Sequence, residues 1–114
     1  MSSEEQKPNV WLIDIDGTVC EDIPNEESHL FPTAYVYEGA LEKVKELQKT
    51  GDIFFFTART SEHAEATEEW LRKHDFPFER VIYDKPRIKS GQMYNWVDNR
   101  FVIGHWVPKG ITQL

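Results

Sequence analysis

Val10-Trp11-Leu12-Ile13-Asp14-Ile15-Asp16-Gly17-Thr18 is the stretch that decides how the rest of the chain is read. Four apolar residues run straight into two acids separated by one isoleucine, then a glycine and a hydroxyl. An unbroken apolar run of this length suits a strand buried on both faces, as in a parallel sheet covered by helices. The same form recurs further on. Ile53-Phe54-Phe55-Phe56 runs into Thr57, Val81-Ile82-Tyr83 into Asp84 and Lys85, and Tyr94-Asn95-Trp96-Val97 into Asp98. Phe101-Val102-Ile103 offers a fifth, edge strand.

Helical spacing fills the gaps. Leu41, Val44 and Leu47 share one face, and Gly51 follows as a stop. Ala64, Thr67, Trp70, Leu71 and His74 share another; Thr60 or Ser61 suits its N-terminus, and Arg72, Lys73 and His74 suit the negative end of its dipole. Glu62, Glu65, Glu68 and Glu69 form its solvated face. Strands alternating with helices predict an α/β doubly wound fold. Residues 9–114 read as one domain after a flexible Met1–Pro8. Val19–Glu38 holds two prolines and no sustained period, which marks a functional loop or small hairpin rooted beside the first strand's end.

Composition narrows the function. Thirteen basic against twenty acidic residues leave a net charge of −7, which disfavours nucleic acid as a generic partner. A small phosphorylated ligand held by a local positive site stays open. Cys20 is the only cysteine, so an internal disulfide and a cysteine metal cage are both excluded. No apolar run approaches the ~20 residues of a membrane helix, and no signal-like segment opens the chain. A cytoplasmic protein without a membrane partner is expected.

In open α/β sheets, ligands bind beyond the carboxyl ends of the strands. The residues expected there are Asp14, Asp16, Thr18, Thr57, Arg59, Lys85, Arg87 and Asp98. Two acids and a third from a distant strand can hold a hard cation through oxygen, and magnesium takes one or two carboxylates plus substrate phosphate. A hydroxyl and an ammonium then suit the remaining phosphate oxygens. Each residue also has a plainer reading. Asp14 and Asp16 suit a turn, Thr57 a cap, Lys85 a solvated loop, Asp98-Asn99 a turn, and Arg59, Arg87 and Arg100 surface ion pairs. The four histidines lack ligand spacing; His29, in the long segment, is the one placed to touch a substrate. Phe31, Tyr35 and Tyr37 read as packing of that segment.

Four motifs in order resemble those of the haloacid dehalogenase superfamily across roughly residues 9–103: Asp14-Ile15-Asp16-Gly17-Thr18, Phe56-Thr57-Ala58-Arg59, Lys85-Pro86-Arg87 and Trp96-Val97-Asp98-Asn99. The resemblance implies a Rossmann-like, mostly parallel, three-layer sheet with a flap after the first strand, matching Val19–Glu38, and here no inserted cap domain. It implies a phosphomonoester hydrolase. Asp14 would be the nucleophile that forms an aspartyl-phosphate, Asp16 the acid and base, and Thr57 and Lys85 the clamps on phosphate, Lys85 being preferred to Lys89. Magnesium would be held by Asp14, Asp16 through its carbonyl, and Asp98. Thr18, Arg59 and Arg87 would contact substrate. Asn99 stands where relatives often carry a second acid, which weakens outer support for the metal. A phosphorylated small molecule or the phosphorylated end of a macromolecule is the implied substrate, with a homo-oligomer as a further partner. A phosphotransferase or mutase with the same intermediate, or a non-catalytic phospholigand-binding module, are the alternatives. A two-component receiver domain also gathers acids and a lysine, but Asp-Ile-Asp-Gly-Thr does not fit its acid pair.

Overall fold

Three of the five apolar runs become strands in the computed structural model, which describes residues 6–114. These are β1 (Asn9–Ile13), β2 (Gly51–Phe56) and β3 (Arg80–Ile82). They form one parallel sheet in the order β1-β2-β3, with Ile13 opposite Phe55 and Phe56 opposite Ile82. All three carboxyl ends therefore share one edge. The central strand β2 buries Ile53 and Phe55. The edge strand β1 departs from the expectation of burial on both faces: Val10 is 63% exposed and Leu12 39%.

Gly51 does more than end a helix. It is the first residue of β2, and a Cβ there would lie 2.5 Å from the Asn9 carbonyl oxygen and 2.6 Å from the Trp11 ring. The absence of a side chain is what lets β1 and β2 pair at their starts.

Both predicted helices form. α1 (Ala40–Gln48) buries Ala40 and Val44 and packs on β2. A single 3-10 turn, Ser61–His63, leads into α2 (Ala64–Lys73), which buries Thr67, Trp70 and Leu71. Thr60 is extended at the start of that turn, but its hydroxyl meets Glu62 at 3.2 Å and makes no cap to the backbone. The Trp70 ring stacks on Phe76 at 5.9 Å, and Phe55 meets Phe76 and Phe78 edge-on. Aromatic rings of this size bury roughly 150–250 Å² each, so this cluster dominates the core. Tyr83 completes the join between α2 and the end of β3: its hydroxyl donates to the Glu68 carboxylate at 2.8 Å.

The long segment after β1 is pinned rather than loose. The Glu21 amide donates to the Tyr35 carbonyl and the Tyr37 amide to the Val19 carbonyl, joining its two limbs around a bridge between Cys20 and Val36. Its middle, Asn25–Thr33, is 3-10 helical with a kink at Glu27. The Trp70 indole N–H donates to the Ala34 carbonyl at 3.0 Å and ties the segment to α2.

Two expected strands are absent. Tyr94–Val97 and Phe101–Ile103 have no regular structure, and Val97, Phe101 and Ile103 are 95%, 106% and 79% exposed. A further parallel strand needs a crossover of a dozen or more residues, usually a helix. The ten residues Asp84–Met93 contain Pro86 and Ser90-Gly91 and no helical period, so no crossover helix is available. The fold is thus α/β with a three-stranded parallel sheet, and its strands keep sequence order. Residues 1–5, most of the stretch expected to be flexible, lie outside the described residues. Among the described residues, no helix is long and apolar enough to cross a membrane.

Candidate functional site

The chain leaves β1 through a turn that only a glycine makes without strain. Gly17 sits at φ +80°, and the amides of Thr18 and Val19 both return to the Ile15 carbonyl. Ile15 is fully buried, which anchors the stretch and leaves its neighbours Asp14 and Asp16 at the sheet's carboxyl edge. The Thr18 hydroxyl lies 3.4 Å from Asp14 Oδ2, so it supports the acid from within the same turn.

The ends of β2 and β3 are tied to each other. The Thr57 amide donates to the Ile82 carbonyl, the Lys85 amide to the Thr57 carbonyl, and the Asp84 amide to the Arg59 carbonyl. Asp84 adopts φ +63° to make these contacts, an uncommon conformation for a residue with a side chain. The result is a Lys85 ammonium 3.2 Å from Asp14 Oδ1, with its side chain 14% exposed. The same ammonium lies 5.6 Å from the Phe56 ring centre and 5.2 Å from that of Tyr94. Desolvation raises the Asp14 carboxyl above its ordinary value, opposed by the Lys85 charge.

Arg59 is the buried cation of the site. Only 1% exposed, it gives Nε to Asp16 Oδ2 at 2.9 Å and Nη2 to Asp16 Oδ1 at 2.7 Å. Its Nη1 donates to the Thr67 hydroxyl at 3.1 Å, and its guanidinium lies 3.7 Å from the Phe31 ring centre. A bidentate arginine–carboxylate pair fixes the plane of the acid as well as its charge. The sequence placed Arg59 among substrate contacts; here it lines the cleft and directs three of its N–H donors to Asp16 and Thr67. Phe31 and Thr67 carry no motif of their own, so nothing local could have connected them to Asp16.

Asp14, Asp16, Arg59, Lys85 and Arg87 line a cleft of about 500 Å³, together with Asp22, Ile23, Pro24, Asn25, Ala58, Ile88 and Tyr94. Asp22–Asn25 come from the long segment, and the Asn25 amide donates to the Ala58 carbonyl at 3.1 Å, which sets that segment over the end of β2. Arg87 reaches Glu26 at 3.9 Å and stays largely solvated. Thr57 is fully buried, and its hydroxyl accepts the Arg59 amide at 3.1 Å, so it braces the floor without lining the cleft. Lys89 and His29 are not among the lining residues.

Asp98 stands apart. It lies on the exposed segment, outside the cleft lining, where hydrogen bonds from the Trp96 indole at 3.1 Å and the Arg100 amide hold its carboxyl below the usual range. Among the described residues, no three histidine, cysteine or acidic side chains gather closely enough to hold a metal. Cys20 is buried beside Asp16, and desolvation pushes its thiol up to about 12.

The chain matches no protein-family model. Over 52 residues it is 42% identical to a provisionally named nucleotidase of Oceanobacillus iheyensis, a match covering 45% of this chain and 28% of that protein. A provisionally named nucleotidase of Bacillus cereus is 46% identical over 39 residues, covering 33% and 21% respectively. The chain thus spans under a third of the length of these relatives. A solved structure from Vibrio cholerae superposes with a TM-score of 0.60 at 22% identity, covering 82% of both chains. A chain in the structure of the Pnkp1/Rnl/Hen1 RNA repair complex gives 0.59 at 18% identity, covering 75% of this chain and 30% of its own. These likenesses support the fold.

Proposed function

We propose that the chain is a phosphomonoester hydrolase of the haloacid dehalogenase type, acting through an aspartyl-phosphate on Asp14. The observation that carries the reading is the Asp14–Lys85 pair, 3.2 Å apart, joining the carboxyl ends of the first and third strands in one cleft. A carboxylate beside a fixed ammonium is a nucleophile placed next to a group that attracts phosphate oxygens. The nucleotidase names of the partial relatives agree with phosphate-ester chemistry.

In this mechanism an Asp14 oxygen forms a bond to phosphorus as the bond to the leaving oxygen breaks. Lys85 steadies the charge on the phosphoryl oxygens. Asp16 gives the leaving oxygen its proton and takes one from the water that next attacks the aspartyl-phosphate, releasing inorganic phosphate and restoring Asp14. Arg59 orients the Asp16 carboxylate. Thr57 braces the floor of the site.

Magnesium belongs to the same proposal. The donor chemistry fits in part: a cation that takes one or two carboxylates plus substrate phosphate finds the Asp14 carboxylate at the cleft, with Asp16, which would offer its carbonyl, beside it. Asp98 is not brought there. Bound, the ion would supply charge to offset the repulsion between Asp14 and a phosphate dianion. Comparing Lys85→Ala with Lys89→Ala tests the reading. The first should lose about 2–4 kcal/mol of transition-state stabilisation, as for one preorganised donor, and the second less than about threefold in kcat/KM. The opposite ranking overturns it.

A further inference from the structure

The long segment reaches Asp16 through a residue that does not line the cleft. Phe31 is the buried residue of its 3-10 stretch, fully enclosed and outside the cleft lining. Its ring centre lies 3.7 Å from the Arg59 guanidinium carbon, and His63 meets the ring T-shaped at 5.4 Å. The segment is tied down on both sides of this residue. The Asn25 amide donates to the Ala58 carbonyl at 3.1 Å, and the Ala34 carbonyl accepts the Trp70 indole N–H at 3.0 Å. Filling space would need apolar neighbours alone; this ring also covers a buried cation.

We infer that Phe31 is a positioning residue for the proposed acid and base, acting through Arg59, an inference that rests on the hydrolase reading above. A guanidinium is a planar fork with donors along its edges and two bare faces. Along the edges, three donors meet Asp16 at 2.9 and 2.7 Å and Thr67 at 3.1 Å. Those bonds set where the fork points. A separation of 3.7 Å is ordinary carbon-to-carbon contact, so the Phe31 ring lies against one face and sets the tilt of the plane. Because the pair with Asp16 is bidentate, the carboxylate follows that plane. Tilting the fork therefore swings the Asp16 oxygens off their line to the leaving oxygen. Both Phe31 and Arg59 are closed to solvent, the setting in which a cation on an aromatic face holds most strongly. A misplaced acid costs most where the leaving group is poor, since a good one departs without a proton. Asp14 and Lys85 pair separately, so attack at phosphorus keeps its own geometry.

The test uses the full chain with Phe31→Leu, which keeps apolar bulk and removes the ring face. kcat/KM is measured on an aryl monoester, p-nitrophenyl phosphate, and on an alkyl monoester, glycerol 3-phosphate. The alkyl ester should lose at least about fivefold more than the aryl ester, a fraction of what a general acid contributes. Phe31→Tyr, which keeps a ring, should hold the ratio of the two esters within about twofold of the parent. In the Arg59→Met background, Phe31→Leu should change that ratio by less than about twofold, because the link is already cut. Hydrogen exchange of the Arg59 Nε–H, followed by NMR, reads the clamp without turnover and should quicken at least about tenfold in Phe31→Leu. Equal losses on the two esters, or a selective loss with Arg59 exchange unchanged, overturn the inference and leave the hydrolase. Hydrolysis of neither ester by the parent chain removes the hydrolase, and the exchange result then decides whether Phe31 holds Arg59.

Discussion

Replacing Arg59 by methionine removes a guanidinium that holds three partners at once. Asp16 would lose both of its bonds, at 2.9 and 2.7 Å, Thr67 its donor at 3.1 Å, and Phe31 the cation at 3.7 Å. The Arg59 side chain is 0% exposed and that of Asp16 14%, so water from the cleft replaces only part of what is lost. Breaking a buried pair from one side costs about 3–5 kcal/mol, because the remaining charge is left uncompensated. The Thr67 hydrogen bond contributes about 1 kcal/mol more, though the two losses will not simply add. For a chain of this length, total stability is roughly 6–17 kcal/mol, so the variant should fold but melt about 15 °C lower. Urea unfolding followed by circular dichroism gives the free energy directly. A cycle of Arg59→Met, Asp16→Ala and the double variant should return a coupling of at least ~2 kcal/mol. A loss under ~1 kcal/mol, with no coupling, would mean a solvated pair and would refute the claim that Arg59 is a buried strut for Asp16.

Other outcomes follow from the same geometry. Burial raises the Asp14 carboxyl, so the folded state favours its protonated form. Its contribution to stability is complete below the ordinary value of 3.8 and is lost as pH rises through the raised folded value. Asp14→Asn should therefore melt above the parent chain at pH 7, with the gap closing below pH 3.8; a gap independent of pH in thermal melts contradicts this. Cys20, buried with its thiol near 12, should resist thiol reagents at pH 8 until the chain unfolds, and rapid labelling of native protein would show the burial to be wrong. Gly51→Ala should cost about 1–3 kcal/mol in chemical denaturation, because the new Cβ would meet backbone. An unchanged midpoint would mean that β1 and β2 separate there at little cost.

What could be read from the sequence was local. The run from Val10 to Thr18 carried both the strand and the two acids at its end, since apolar continuity and the glycine turn are properties of neighbouring residues. Ile53–Thr57 and Val81–Lys85 were legible for the same reason, and their parallel pairing brings Lys85 to Asp14. Tyr94–Val97 and Phe101–Ile103 look equally apolar, but apolarity alone does not make a strand. It also needs a connection, and Asp84–Met93 is too short and too rich in breakers to supply one. The anchoring of Arg59 was hidden because Phe31 comes from the long segment and Thr67 from α2, and only the packed fold brings both to Asp16.

The most direct test of the central claim is the rate at which the chain, supplied with magnesium, releases phosphate from a monoester before and after Asp14→Asn. Measurable turnover by the parent chain and a loss of at least ~1,000-fold in the variant are expected, since Asp14 is the cleft acid paired with Lys85 and Asp16 is held by Arg59. Turnover by Asp14→Asn within a few-fold of the parent would contradict that claim.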